Sequence, residues 1–363
     1  MSVIQPLKAL LMLITFYQAG ICAYGEEYVR ISPTHRSIVY TGRVYQKDSG
    51  EILFDWPAVQ ISARLKATWC KALIFGENDA FDVYLDDKQI KTIRLNGKDS
   101  SFVLFKDMPD TAHTLRIIKR FASWDSRVTF KGLLLNREAV LLEPEPRPKF
   151  RIELVGGSIL SGFGNQSCCI DCESISDSSN SSLSYGAFLA DTLNAEYAMI
   201  AVSGKGLIRE WASPFQSTKM PFGAFYDRTV RSDPSLQWNF ENWVPHLVIL
   251  HLGGNDFSSR PHPTKHHFIS VYRSFILRVQ SHYSGCRIVC VSSAKQPLHT
   301  YVKETVDGLK ADGMKNISFF SYPAIPFSQR GCAWHPNVDA HRHIADLLFQ
   351  HLNETFPEIL GTR

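Results

Sequence analysis

Four short motifs in this chain hold the residue types that acyl transfer needs. Gly156-Gly157-Ser158-Ile159 offers a serine hydroxyl on a two-glycine turn. Ser203-Gly204-Lys205-Gly206 offers backbone N–H groups on a second glycine turn, and Gly253-Gly254-Asn255-Asp256 offers a side-chain amide on a third. Trp334-His335-Pro336-Asn337 supplies an imidazole. A serine hydroxyl is a weak nucleophile until a neighbouring base takes its proton, and an imidazole titrates where it can do so near neutral pH. Backbone N–H groups and a carboxamide stabilise the negative charge that develops on an attacked carbonyl, the carboxamide at any working pH. Singly, each motif has a commoner reading as a capping serine, a glycine turn, an Asx turn with Asp256 capping the segment that follows, or a structural histidine. His246, His251, His262, His266, His267, His341 and His343 take that structural reading.

The elements around the motifs make the combination informative. From Arg151 onward, continuous apolar runs alternate with helical stretches. The runs are Ile152–Val155, Ala198–Val202, Leu247–Leu252, Arg287–Val291 and Ile317–Phe320. Helical patterns cover Tyr185–Leu193, Phe268–Gln280, Tyr301–Leu309 and Val338–Leu352, the last with Ile344, Leu347, Leu348 and His351 on one face. Apolar runs without alternation are strands buried on both faces, and their alternation with helices predicts an α/β domain with a parallel sheet. Such sheets place their sites beyond the carboxyl ends of the strands. Ser158, Gly204 and Asn255 each follow such an end. The two glycines before Ser158 are expected to form a tight strand-to-helix turn that lifts its hydroxyl above the sheet.

Residues 27–142 read differently. Short alternating or β-branched runs recur from Ser37–Tyr40 to Val128–Phe130, separated by Gly76, Asp86-Asp87, Asn96-Gly97 and similar turn residues. About eight short strands without helical periodicity predict an all-β sandwich of jelly-roll type, with Asn96-Gly97 marking a two-residue hairpin. Pro144, Pro146 and Pro148 make the connection stiff and extended. The expected division is a leader over 1–25, the sandwich over 26–143, a linker over 144–149 and the α/β domain over 150–363.

The leader is read from Lys8, the apolar stretch Ala9–Phe16 and the small residues Gly20, Ala23 and Gly25, a secretory signal with cleavage between Ala23 and Glu26. That apolar core is too short to span a bilayer, and no other stretch is long and apolar enough. A secreted protein gives meaning to the Asn-x-Ser/Thr sequons at Asn165, Asn180, Asn316 and Asn353. Beyond Cys22, seven cysteines remain, an odd count that leaves at least one thiol outside intrachain pairs. Cys168-Cys169-x-x-Cys172 lacks a second ligand pair at zinc spacing, so one or two disulfides are expected and no metal. A net charge of +4 without Lys/Arg runs gives no footprint for nucleic acid.

The order serine, glycine, asparagine, histidine resembles the SGNH hydrolase superfamily. The likeness extends along the chain to carbohydrate esterase family two. It is carried by Ile152 to Ile159, Gly162-Phe163-Gly164-Asn165, Ser203-Gly204-Lys205-Gly206 and the stretch from Met220-Pro221 to Thr229. It continues through Trp238-Asn239-Phe240 and Trp243-Val244-Pro245 to Gly254-Asn255-Asp256, and through Gly331-Cys332 and His335-Pro336-Asn337 to His341. The resemblance implies a jelly roll joined to an SGNH domain, acting on acetyl groups of polysaccharide sugars without metal or organic cofactor. It casts Ser158 as nucleophile, His335 as base, and the Ser158 N–H, the Gly204 N–H and the Asn255 amide as the oxyanion hole. Trp334 would offer its face to a sugar ring.

Two departures stand out. Gly157 replaces the aspartate that usually precedes the nucleophile. Cys332 occupies the position three residues before the histidine, where the wider superfamily has an aspartate, so His335 must be oriented by another group such as a backbone carbonyl. The rival expectations are a carbohydrate-binding protein on a weakened hydrolase fold and a secreted lipase or thioesterase.

Overall fold

Alternation of inward apolar and outward polar residues builds the N-terminal half. The computed structural model describes residues 28–98, 100–121 and 126–362, so the expected leader lies outside the described residues. Twelve strands precede the proline segment: β1 (Tyr28–Ile31), β2 (Ile38–Thr41), β3 (Tyr45–Gln46), β4 (Ile52–Phe54), β5 (Gln60–Lys66), β6 (Cys70–Phe75), β7 (Glu77–Leu85), β8 (Lys88–Asn96), β9 (Ser101–Phe105), β10 (Ala112–Lys119), β11 (Val128–Asn136) and β12 (Val140–Leu141). They form two antiparallel sheets, β3-β4-β11-β6-β9 with β1 on β11, and β12-β5-β10-β7-β8 with β2 on β5. Ile61, Ala63 and Leu65 of β5 and Leu115 and Ile117 of β10 point into the sandwich, as a period of two requires.

The turns correct one expectation. Asn96-Gly97 closes no hairpin, because β8 and the following β9 lie in different sheets and the chain crosses between them. The tight hairpin is Asp86-Asp87, joining paired Leu85 and Lys88 with both aspartates at positive φ (51° and 64°), the twist that matches antiparallel strands.

The C-terminal half holds β13 (Phe150–Gly156), β14 (Ala195–Ala201), β15 (Leu247–His251), β16 (Arg287–Ser293) and β17 (Ile317–Tyr322), all parallel in the order β14-β13-β15-β16-β17. Its helices are α1 (Ile175–Ser178), α2 (Tyr185–Thr192), α3 (Lys265–His282), α4 (Leu298–Ala311) and α5 (Val338–Thr355). Both sheet faces are covered. Val248, Leu250 and Ile288 share a core with Phe268, Ile276 and Val302 of α3 and α4, whereas Leu247, Ile249 and Val289 pack with Leu189, Ile344 and Leu348 of α2 and α5. The strand order reverses direction at β13, so a crevice opens beyond the ends of β13 and β15.

No regular helix follows β13 directly. Residues after Ser158 run through successive turns, with Ser161 N–H on the Gly157 carbonyl (3.1 Å) and Phe163 N–H on the Ser158 carbonyl (3.0 Å). Gly162 and Gly164 both adopt positive φ (70° and 62°), which ends helical propagation. The eight-residue helix of this unit begins only at Tyr185.

Buried polar contacts weld the halves. Arg43, between β2 and β3, meets Glu153 of β13 at 3.0 Å with both side chains about 1% exposed. Trp56 donates to the Thr229 carbonyl (3.0 Å), and Asp55 accepts the Arg231 and Ser232 N–H groups (2.6 and 2.7 Å). Asn180 donates to Asp82 of β7 at 2.7 Å.

That last bond bears on the sequons. Asn165 and Asn180 are each about 1% exposed and saturated by internal bonds, Asn165 through the Asn180 and Leu183 carbonyls. The Asn316 amide donates to Gln280 and to the Cys286 carbonyl. Asn165 and Asn180 are thus closed to a glycan in the folded chain, Asn316 is half-buried, and Asn353, on α5, is exposed. Among the described residues one disulfide forms, Cys172–Cys332. Cys70, Cys286 and Cys290 are buried thiols, and Cys168 and Cys169 are exposed ones.

Candidate active site

The turns after β13, β14 and β15 and the entrance to α5 converge on one place. Ser158 Oγ lies 2.8 Å from His335 Nε2. His335 Nδ1 lies 3.0 Å from the Ala333 carbonyl oxygen. A carbonyl only accepts, so Nδ1 carries the proton and donates to it, leaving the Nε2 lone pair free for the serine hydroxyl. Burial pushes the His335 imidazole below its ordinary pKa, against the opposing pull of the Ala333 carbonyl. The ring is therefore neutral at pH 7, the form that can take a proton. Among the described residues no carboxylate bonds to the imidazole.

The imidazole is held mechanically as well. Phe163 packs against it at a ring separation of 4.5 Å, and Phe121 of the sandwich meets the edge of Phe163 at 5.8 Å. The backbone of His335 is fixed on both sides, its N–H on the Cys332 carbonyl (3.1 Å) and its carbonyl taking the Gly331 N–H (2.7 Å). Asn337 then caps α5 by accepting the Ala340 N–H at 3.0 Å.

Beside this pair lies a set of donors. Among the described residues, neither the Ser158 N–H nor the Gly204 N–H has an acceptor. The Asn255 amide donates to the Lys205 carbonyl at 2.9 Å, which ties the third strand-end turn to the second. A methyl group at Gly157 would sit 3.4 Å from Asn255 Nδ2, so that amide borders the residue preceding the serine.

Asp256 departs from the cap of its own segment expected from the sequence. Its carboxylate reaches the neighbouring loop and accepts the N–H groups of Leu207 (3.0 Å), Ile208 (2.7 Å) and Arg209 (3.1 Å). Burial raises its pKa to about 6 despite these bonds. The same loop returns to Gly204, whose carbonyl accepts the Trp211 N–H at 2.7 Å. The only sequence signal for this clamp was an acid next to Asn255. A backbone carbonyl for His335 was expected from the missing acid at Cys332, but that it is Ala333's had no signal, since a backbone acceptor carries no side-chain signature.

Of the competing histidines, His251 bonds the Tyr185 hydroxyl (2.9 Å) and His341 accepts the Tyr185 N–H (3.1 Å). Burial lowers them to about 4 and about 3, so both are neutral structural groups. Trp334 is 58% exposed beside His335, and its ring meets that of Phe327. Trp211 and Phe215, on the loop beyond Gly204, are 69% and 71% exposed. Among the described residues no group of three or more His, Cys, Asp or Glu could hold a metal ion, and no helix is long and apolar enough to cross a membrane.

Known proteins share this arrangement of domains. The family model described as carbohydrate esterase 2 N-terminal matches residues 40–145. Cellulase/esterase CelE of Acetivibrio thermocellus is 26% identical over 322 residues, covering 86% of this chain but only 38% of CelE, so the chain spans well under half of that relative. An acetylxylan esterase / glucomannan deacetylase of Cellvibrio japonicus is 24% identical over 338 residues, covering 89% of this chain and 88% of the relative. The structure of a family two carbohydrate esterase from Clostridium thermocellum in complex with cellohexaose superposes with a TM-score of 0.83 at 25% identity, over 90% of this chain and 100% of that one. An antiparallel sandwich followed by a parallel SGNH-type sheet is thus common to this chain and the family two carbohydrate esterases.

Proposed function

We propose that this relative of the family two carbohydrate esterases is a secreted O-acetylesterase that removes acetyl groups from sugar hydroxyls. The observation that carries the proposal is the 2.8 Å approach of Ser158 Oγ to the neutral, Nδ1-anchored imidazole of His335. In this reading the division is a leader over 1–25, a sandwich over 26–143, a linker over 144–149 and a hydrolase domain over 150–363.

Ser158 Oγ attacks the acetyl carbonyl carbon while its proton passes to His335 Nε2. The imidazolium that forms keeps its Nδ1–H on the Ala333 carbonyl, a charge-assisted bond that supports it. The tetrahedral oxyanion is received by the Ser158 N–H, the Gly204 N–H and the Asn255 amide. Collapse breaks the ester C–O bond, and His335 returns its proton to the leaving sugar oxygen. Water, deprotonated by His335, attacks the acetyl-serine. Breakdown of that second intermediate releases acetate and restores the serine proton. Every proton is carried by one imidazole, so the chemistry calls for no metal or organic cofactor.

A carbohydrate substrate is supported by the exposed rings of Trp334, adjacent to His335, and of Trp211, whose backbone N–H bonds the Gly204 carbonyl, since aromatic faces suit the C–H faces of sugars. Acetyl as the acyl group is supported by the names of the related Cellvibrio enzyme. The test is hydrolysis of an aryl acetate, then of acetylated xylan or glucomannan, by the purified protein beside Ser158→Ala and His335→Ala. Loss of about 10³-fold or more in both folded variants is expected. Activity unchanged by Ser158→Ala would end the proposal.

A further inference from the structure

We infer that the Cys172–Cys332 disulfide is a positioning element for His335, fixing the Ala333 carbonyl at Nδ1, where among the described residues no carboxylate bonds. This rests on the Ser158–His335 reading above. Cys332 stands three residues before the histidine, and the residue that accepts from Nδ1 is its immediate neighbour. Ala333 and Trp334 have φ of 50° and 66°, two successive non-glycine residues in the left-handed region. L-residues persist there only where surrounding contacts over-determine the backbone.

The contacts that do so run to the segment carrying Cys172. The Ala333 N–H donates to the Ile170 carbonyl at 2.8 Å and the Cys332 N–H to the Gly164 carbonyl at 3.0 Å. The approach is so close that a Cβ on Gly164 would lie 2.4 Å from Cys332 Cβ, and one on Gly331 would lie 2.4 Å from the Gly164 oxygen. Yet no residue from Gln166 to Ser178 is buried. Arg120 ties the two ends of that segment, at Gln166 and the Asp177 carbonyl, and the covalent bond between Cys172 and Cys332 is the tie nearest the Ile170 carbonyl where it meets Ala333. The chain Cys172, Cys332, Ala333, His335 then replaces the carboxylate–imidazole contact of a triad with a backbone dipole held by a cross-link.

The experiment compares wild type with Cys172→Ser and the Cys172→Ser/Cys332→Ser double variant. Substitution is preferred to reductant alone because Cys168 and Cys169 offer exposed thiols for re-pairing. The readouts are kcat and KM for an aryl acetate across pH, circular dichroism, and the His335 ring titration by NMR. The expected result is folded variants with kcat reduced at least tenfold and KM within twofold of wild type. The Nδ1–H bond to the carbonyl favours imidazolium, so its loss moves the His335 titration and the acidic limb of kcat to lower pH.

Wild-type kcat and an unmoved His335 titration in a folded variant would overturn the inference and leave the disulfide a stabilising bond only. If neither variant folds, wild type reduced by dithiothreitol and alkylated is measured while circular dichroism reports it folded, with the same two outcomes. The NMR titration needs no turnover. It therefore decides the inference even if Ser158→Ala leaves esterase activity intact and the functional reading itself fails.

Discussion

The Asp256 carboxylate accepts the Ile208 N–H at 2.7 Å across a gap between two strand ends, 48 residues apart in the chain. With the Leu207 and Arg209 N–H groups on the same side chain and Asn255 on the Lys205 carbonyl, the third turn grips the second on both sides of Gly206. The grip locates Gly204, whose N–H has no acceptor among the described residues. Gly206 is close enough that a Cβ there would lie 2.3 Å from Asp256 Oδ2.

Asp256→Asn keeps the size of the side chain but replaces one acceptor oxygen with a donor facing N–H groups. Its kcat should fall about tenfold, near the 1.4 kcal/mol of one lost charged acceptor, with KM little changed. In wild type, protonation of Asp256 near pH 6 weakens the clamp, so activity should fall as pH drops through about 6. The variant should lose that limb and retain only the one set by His335. Stability runs the other way. The folded pKa is raised above an unfolded value of about 3.9, so this group's contribution is full below about pH 4 and is lost as pH rises through about 6. A pH–rate profile of both proteins, beside denaturant midpoints, separates the two effects.

Arg43 and Glu153 join the sandwich to the first strand of the parallel sheet with no solvent at either group. Glu153 also accepts the Tyr226 and Tyr283 hydroxyls at 2.7 and 3.1 Å, and Arg43 donates to the Arg228 carbonyl at 3.0 Å. Removing one partner strands a buried charge. Arg43→Met should cost about 3–5 kcal/mol in urea or thermal unfolding. A loss under 1 kcal/mol would mean the halves are held by their other contacts, among them Trp56 to Thr229 and Asp55 to Arg231.

Trp334 separates chemistry from substrate recognition because its ring is exposed and its backbone carbonyl is tied to Arg330 at 2.8 Å. Trp334→Ala should raise KM for an acetylated oligosaccharide about tenfold, roughly 1.4 kcal/mol, while kcat/KM for a small aryl acetate stays within about threefold. Equal losses on both substrates would assign the indole to holding the His335 loop instead.

Much of this arrangement was legible from the chain itself. Continuous apolar runs ending in glycine announced β13, β14 and β15, because burial on both faces and a tight exit are local demands on composition. Ser158, Gly204 and Asn255 are therefore legible as residues at successive strand ends. The sandwich was legible for a similar reason, since its period of two is written residue by residue. Asp86-Asp87 and Asn96-Gly97 looked alike as turns, and only strand pairing told the hairpin from the crossover. Asn165 and Asn180 looked like open sequons until burial and their bonds to Leu183 and Asp82 closed them.

By itself, then, the sequence determined the strands, the turns and the residue types that the turns present, all quantities set within a dozen neighbouring residues. Tertiary structure decided which groups meet. It brought His335 to within 2.8 Å of a serine 177 positions away, gave Nδ1 the Ala333 carbonyl in place of an acid, and turned Asp256 from its own turn to Ile208. A backbone acceptor has no side-chain signature, and a long-range contact is specified by the packing of whole elements, so neither could be read from the local pattern.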